Sequence, residues 1–235
     1  MAIVKVVGVG PGPTSCLTKA AEEELLRANK VFFRTGAHPV CEWLRSLGKN
    51  VLSFDLLYKT PWNQPGDIYD FIVSVLLKEA TLRGEAVYAV PGSPHVLEDT
   101  TRLLQLRALN EGVEVTVFSG VSFLEQILSE TKHDFSLGLQ IVLPLTHLQR
   151  GFFTTDLALV VCQIEAVSLA HAKPRLDLTM DFLLAVFPPD HFVTLIWTDG
   201  LPDYKTQSKV IALKDIVHEY GEGKFFASLY VPPLR

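Results

Sequence analysis

Short apolar runs alternate with helical spacing through the first half of the chain. Ile3 to Val9 is a near-continuous apolar run, the pattern of a strand covered on both faces. Gly8 to Thr18 is a loop rich in Gly and Pro. Thr18 to Ala28 then has helical character, with Glu22, Glu23 and Glu24 early and Arg27 and Lys30 late, an order that suits the helix dipole. Val31 to Arg34 predicts a second strand. Pro39 suits the first turn of a helix running to about Leu47 and stopped by Gly48, and Val51 to Phe54 predicts a third strand. The clearest helical period lies at 67–82, where Ile68, Phe71, Ile72, Val75, Leu76 and Ala80 fall on one face. Ala86 to Val90 and Val113 to Phe118 predict two further strands. Helices follow them, from about Leu97 to Leu109 and to about Leu128. This alternation implies crossover connections and a mostly parallel sheet.

The second half has a different rhythm. Gln140 to Leu143, Leu157 to Gln163, Val193 to Thr198, Ser208 to Leu213 and Phe225 to Val231 predict strands, with helices at 166–171, 177–186 and 214–220. The turn-rich stretch Asp199-Gly200-Leu201-Pro202-Asp203 predicts an antiparallel hairpin and hence a mixed sheet. The expected organisation is an N-terminal α/β domain over 1–120, a connecting helix and linker over 121–137, and a C-terminal α/β domain over 138–235.

Composition narrows the function classes. The 235 residues are 48% hydrophobic and 20% charged, which excludes general disorder. The longest run free of Asp, Glu, Lys and Arg, Phe135 to Gln149, is too short and too broken by Gly138 and Pro144 to span a bilayer. A net charge of −5 and the absence of a Lys/Arg cluster argue against nucleic acid. Cys16, Cys41 and Cys162 are far apart and odd in number, which suits neither a zinc signature nor a disulfide framework. The expected setting is cytoplasmic, because the N-terminus has the pattern of a strand rather than a signal peptide.

Three strand-ending loops carry the candidate chemistry: 8–16, 91–95 and 119–122. All are rich in Gly, Pro or Ser, and ligands of open α/β sheets bind beyond the carboxyl ends of the strands. The first loop is not a dinucleotide fingerprint. Pro13 stands where the third glycine belongs, and the second strand ends at Arg34-Thr35 rather than at an acid for a ribose. No P-loop motif occurs, the nucleophile elbow of hydrolases is missing at Ser93 and Ser122, and the histidines lack metal-ligand spacing.

The segments Val7-Gly8-Val9-Gly10-Pro11-Gly12-Pro13, Tyr88-Ala89-Val90-Pro91-Gly92-Ser93-Pro94 and Phe118-Ser119-Gly120-Val121-Ser122-Phe123-Leu124 together resemble the tetrapyrrole (corrin/porphyrin) methylase family. The resemblance covers nearly the whole chain in order. Phe33-Arg34-Thr35 with His38-Pro39, Phe54-Asp55 with Tyr58, and Ser228 to Pro233 resemble one branch, the YabN-like methylase domain, often fused to a MazG-type nucleotide pyrophosphohydrolase. No such domain follows Arg235, which leaves a free-standing methylase or a piece of a longer protein. The resemblance implies two α/β domains with S-adenosylmethionine in the cleft between them, S-adenosylhomocysteine as product, a small-molecule methyl acceptor and a homodimer. It implies cofactor contacts at Pro11, Gly92, Ser93, Val96, Ser122, Phe123, Gln163, Thr198 and Ala227. Gly92-Ser93-Pro94 departs from the Gly-Asp-Pro of many relatives and so lacks a carboxylate there.

Four residues are candidates for proton transfer or acceptor binding: Arg34, His38, Tyr58 and His95. Arg34 could meet a carboxylate as a bidentate partner, and Tyr58 and Trp62 could stack on a flat acceptor. The catalytic base itself is not identified. Three functions suit the pattern: a methyltransferase for a tetrapyrrole-like or other small molecule, a peptide or protein methyltransferase on the same fold, and a non-catalytic S-adenosylmethionine-binding regulatory module serving a pyrophosphohydrolase.

Overall fold

The computed structural model describes residues 1–59, 65–164, 176–198, 205–220 and 225–234. The chain divides into two compact units, the first covering Met1–Phe123 and the second formed by described residues from Leu124 onward.

The first unit is built on five strands: β1 (Ile3–Gly8), β2 (Lys30–Phe33), β3 (Asn50–Ser53), β4 (Glu85–Val90) and β5 (Glu114–Phe118). They pair in the order β3-β2-β4-β1-β5, with every pairing parallel. Helices α1 (Lys19–Arg27) and α2 (Pro39–Ser46) cover one face, where Ala21, Leu25, Val40 and Leu44 pack on Val7, Val31, Phe33 and Ala89. Four residues, Asp55–Tyr58, form the short helix α3. Helices α4 (Pro65–Arg83) and α5 (Asp99–Glu111) cover the other face, where Ile72, Leu76, Leu104 and Ala108 pack on Val4, Val6, Phe32 and Tyr88. Alternate residues of β1 and β4 serve opposite cores. Continuous apolar runs are therefore what both strands require.

Local chemistry sets the helix ends. The Thr18 side chain accepts from the Ala21 amide and caps α1, and Gly112 ends α5 in the left-handed conformation. Helix α5 starts at Asp99, two residues later than its periodicity predicts, because the Glu98 side chain takes the cap position and accepts from the Thr100 amide. The apolar stripe of α4 is also rotated from the predicted one. Val73 and Leu77 are buried with Ile68, Ile72, Leu76 and Ala80, whereas Phe71 is 46% exposed. The helix shares its core with α5 as well as with the sheet, so its buried arc turns toward both.

The second unit holds β6 (Leu139–Val142), β7 (Ala158–Cys162), β8 (Phe192–Thr198), β9 (Thr206–Ala212) and β10 (Phe225–Val231), ordered β6-β7-β10-β8-β9. Only β6 and β7 run parallel; the other pairings are antiparallel, which makes the sheet mixed. The predicted hairpin partners β8 and β9 do pair, and the turn that was expected to join them lies outside the described residues. So does the helix expected at 166–171. Helix α6 (Phe123–Thr131) opens this half, α7 (Leu176–Leu184) contributes Met180 and Leu183 to the core, and α8 (Ile216–Glu219) is a single turn preceded by a 3₁₀ turn at Leu213–Asp215. A π-helical turn at Pro144–Leu148 has no counterpart in the apolar pattern. Among the described residues no helix is long and apolar enough to cross a membrane.

Candidate functional site

The strand order of the first sheet points to one place. Strand β1 lies between β4 and β5; the helix that follows β1 packs on one face and the helix that follows β4 packs on the other. Chain leaving neighbouring strands in opposite directions opens a crevice beyond their carboxyl ends, where open α/β sheets bind ligands. The loops after β1, β4 and β5 are the three Gly-, Pro- and Ser-rich loops singled out from the sequence.

These loops touch through backbone. Gly10 and Gly92 exchange two hydrogen bonds, the Gly92 amide donating to Gly10 O at 2.7 Å and the Gly10 amide to Gly92 O at 3.2 Å. A Cβ on Gly8 would lie 2.5 Å from Gly120 N and 2.5 Å from Pro94 Cδ, and one on Gly120 would lie 2.2 Å from Gly92 O. No side chain larger than hydrogen fits at either position. Thr18 Oγ1 donates to Ser119 O at 3.1 Å, tying the third loop to the cap of α1. Gly92 itself has φ +67°, and apart from its chain neighbours no atom of the described residues lies within 4 Å of where a Cβ would stand. The space on the Cβ side of Gly92 is therefore open at the switch point, although Gly92 itself is buried and its amide and carbonyl are both held by Gly10.

His38 is 2% exposed and caps α2. Its Nδ1 accepts from the Val40 amide at 3.3 Å, which leaves the ring hydrogen on Nε2 to donate to Gly10 O, 3.1 Å away. Burial, against the opposing pull of the Gly10 carbonyl, brings the imidazole pKa down to about 4. The ring is neutral at pH 7 and bonded at both nitrogens, a locking group rather than a proton carrier.

Arg34 is likewise engaged. Its Nη1 bonds Glu98 Oε1, with side chains 18% and 8% exposed. The guanidinium lies 5.5 Å from the Tyr58 ring centre and 5.0 Å from that of Tyr69. Burial opposes the charge, yet the Glu98 carboxylate and the surrounding tyrosines outweigh it and raise the Arg34 pKa. Thr100 Oγ1 also donates to Glu98 Oε1, so Tyr88 Oη donates to Thr100 Oγ1 at 3.0 Å. The Tyr58 hydroxyl is buried, and burial pushes its pKa up to about 12. Glu98, Tyr69, Tyr88 and Thr100 were not among the predicted site residues. A Glu-Asp-Thr-Thr run ahead of an apolar helical period is a cap signal that could have located Glu98.

Of the predicted cofactor contacts, Pro11, Gly92, Ser93 and Ser122 lie on the three loops, and Val96 and Phe123 directly follow the second and the third. Ser93 is 9% exposed, and its Oγ accepts from the His95 amide at 3.3 Å within its own turn. Val96 is half-buried, and its amide donates to Ser93 O at 3.1 Å. His95 is exposed. It lines a surface cavity of about 380 Å³ with Pro94, Leu97, Glu98, Thr101 and Gln105, among others. In the second unit, Gln163, Thr198 and Ala227 share one end of the sheet. Gln163 is exposed, with a left-handed φ of +54°. Thr198 ends β8 opposite Phe225, and Ala227 lies where β10 shifts register. Its methyl is fully buried in the core and its carbonyl accepts from Ile164, so Ala227 offers a ligand no side-chain contact. Trp62 lies outside the described residues.

Comparison with known proteins agrees with this architecture. The sequence pattern of the family described as Tetrapyrrole (Corrin/Porphyrin) Methylases matches residues 4–210. Uncharacterized protein YabN of Bacillus subtilis (strain 168) is 30% identical over 238 aligned positions, which cover 99% of this chain and 45% of YabN. The chain therefore spans less than half the length of that relative. Among solved structures, diphthine synthase superposes with a TM-score of 0.71 at 18% identity, covering 99% of this chain and 90% of that one. Uroporphyrin-III C-methyltransferase from Thermus thermophilus, complexed with S-adenosylhomocysteine, superposes with a TM-score of 0.67 at 20% identity, covering 97% and 91%. With a matching pattern across most of its length, a doubly wound parallel sheet followed by a mixed sheet, and three loops meeting at the switch point, this chain belongs to the tetrapyrrole (corrin/porphyrin) methylase family.

Proposed function

We propose that this chain is an S-adenosylmethionine-dependent methyltransferase acting on a tetrapyrrole-like or other small-molecule acceptor. The observation that carries the reading is the backbone junction of Gly8, Gly10, Gly92 and Gly120 at the switch point, in a fold shared with a methyltransferase structure holding S-adenosylhomocysteine. The residues fit such a group. The Cβ side of Gly92 is open, and the three loops are rich in Gly, Pro and Ser and contain no phosphate-binding motif. A sulfonium cofactor needs no cluster of cationic side chains. Pro11, Gly92, Ser93, Val96, Ser122 and Phe123 of the first unit are the residues that would hold it there. When bound, the cofactor supplies an activated methyl for in-line displacement. The chain's own part is to hold acceptor and cofactor in line and to keep water out. Orientation of this kind contributes several kcal/mol, of the ~7–11 attainable from well-aligned groups.

Proton removal narrows to few groups. His38 is buried and bonded at both nitrogens, and Arg34 is paired with Glu98. Of the four candidates only His95 is exposed. That scarcity favours one second reading, a binding module that senses the cofactor without catalysis. Calorimetric titration with S-adenosylmethionine and S-adenosylhomocysteine tests both readings. Micromolar binding weakened at least tenfold by Gly92→Val supports a cofactor site; no binding of either by the folded protein overturns both readings. Transfer of a tritiated methyl group to a porphyrinogen panel then separates enzyme from sensor.

A further inference from the structure

The turn between β2 and α2, residues 34–38, reaches two of the three loops at once. His38 Nε2 donates to Gly10 O in the first loop, and Arg34 holds Glu98, which caps α5 at the end of the second. The turn is itself fastened. The Arg34 amide donates to Ala89 O at 2.9 Å, and the Gly36 amide donates to Asp55 Oδ2 at 2.8 Å. Asp55 Oδ2 also accepts from Ser53 Oγ at 2.8 Å. The chain between the second loop and α5 needs such support, because Leu97 is held at φ +54°, a conformation uncommon for a branched side chain. Gly10 O accepts from both His38 and the Gly92 amide, so the His38 bond fixes the atom on which the Gly10–Gly92 bridge turns.

We propose that residues 34–38 form a brace that sets the relative position of the first and second loops, with His38 and Arg34 as positioning residues for the cofactor; the cofactor part rests on the reading of the loops given above. His38 has two separable jobs, since Nδ1 caps α2 and Nε2 holds Gly10. Asparagine places its amide near the Nδ1 position and can keep the cap, but it is too short to reach Gly10. Glutamine places its amide near the Nε2 position and can keep Gly10 while losing the cap.

Amide hydrogen exchange and S-adenosylhomocysteine titration of His38→Asn and His38→Gln test the brace. Expected in His38→Asn is exchange at least tenfold faster at the Gly92 amide, with α2 amides protected as in the wild type, and affinity at least tenfold weaker. Expected in His38→Gln is wild-type exchange at Gly92, affinity within threefold of wild type, and faster exchange at the Val40 amide. Glu98→Gln, which keeps an acceptor for Thr100 but removes the charge facing Arg34, is expected to speed exchange at the Val96 amide. Wild-type exchange at Gly92 in His38→Asn, or parallel losses in both His38 variants, would overturn the brace and leave His38 a cap. The expected exchange pattern in a protein that binds no S-adenosylhomocysteine would uphold the brace and overturn the cofactor reading instead.

Discussion

Replacing Gly120 by alanine tests the three-loop junction directly. The new methyl would sit 2.2 Å from Gly92 O and 2.6 Å from Gly8 C, against ordinary contacts of 3.4 Å or more. The shortfall against van der Waals contact is roughly 1 Å, and the obstacles are main-chain atoms that cannot rotate aside. Either the third loop lifts or the Gly92 peptide moves. Moving Gly92 strains the two hydrogen bonds it shares with Gly10. Overpacking costs about 1–3 kcal/mol and each lost hydrogen bond about 1 kcal/mol, so the expected destabilisation is about 3–5 kcal/mol. For a chain of this size that corresponds to a fall in melting temperature of roughly 10 °C. Gly66 is the control. It lies near the start of α4 with nothing among the described residues within 4 Å of a Cβ, and Gly66→Ala is expected to raise stability by about 0.5 kcal/mol through the unfolded state. Thermal unfolding followed by circular dichroism compares the two. A Gly120→Ala protein that melts with the wild type would refute the packing argument.

His38 gives stability a defined pH dependence. Its folded pKa is lowered to about 4 from 6.5, so the unfolded chain takes up the proton first as pH falls. The contribution is complete above pH 6.5 and is lost between 6.5 and 4; about 2 kcal/mol should be gone at pH 5. In urea unfolding, the stability difference between wild type and His38→Asn should shrink by that amount from pH 7.5 to 5, and a constant difference would contradict a buried neutral ring. Thr101 offers an opposite test. Its hydroxyl is buried with no hydrogen-bond partner among the described residues and the residue is 2% exposed, so Thr101→Val should raise stability by about 1 kcal/mol in the same assay. A loss of stability would show that the hydroxyl has a partner.

Alternation of apolar strand and helical period was enough to predict a parallel first sheet, because strands covered on both faces must be apolar throughout. The three loops were legible for a related reason: glycine and proline are placed by backbone conformation, which is local. Other features depended on partners remote in sequence. Glu24 seemed a dipole charge at the start of α1, but it is 5% exposed and bonded to Lys5 at 2.7 Å, because the sheet runs beneath it. Phe71 shared the helical period yet lies outside the core, because α5 as well as the sheet decides which arc of α4 is buried. His38 and Arg34 had the composition of a reactive site, and nothing in their neighbourhood along the chain revealed that Gly10 and Glu98 would hold them. By itself the sequence determined which segments become strand, helix and glycine loop, since those choices rest on conformational preference and hydrophobic spacing within a few residues. Strand order was decided only in the tertiary structure, and with it the meeting of Gly8, Gly92 and Gly120 and the burial of His38, because a hydrogen bond or a steric contact between distant residues exists only once the sheet has brought them together.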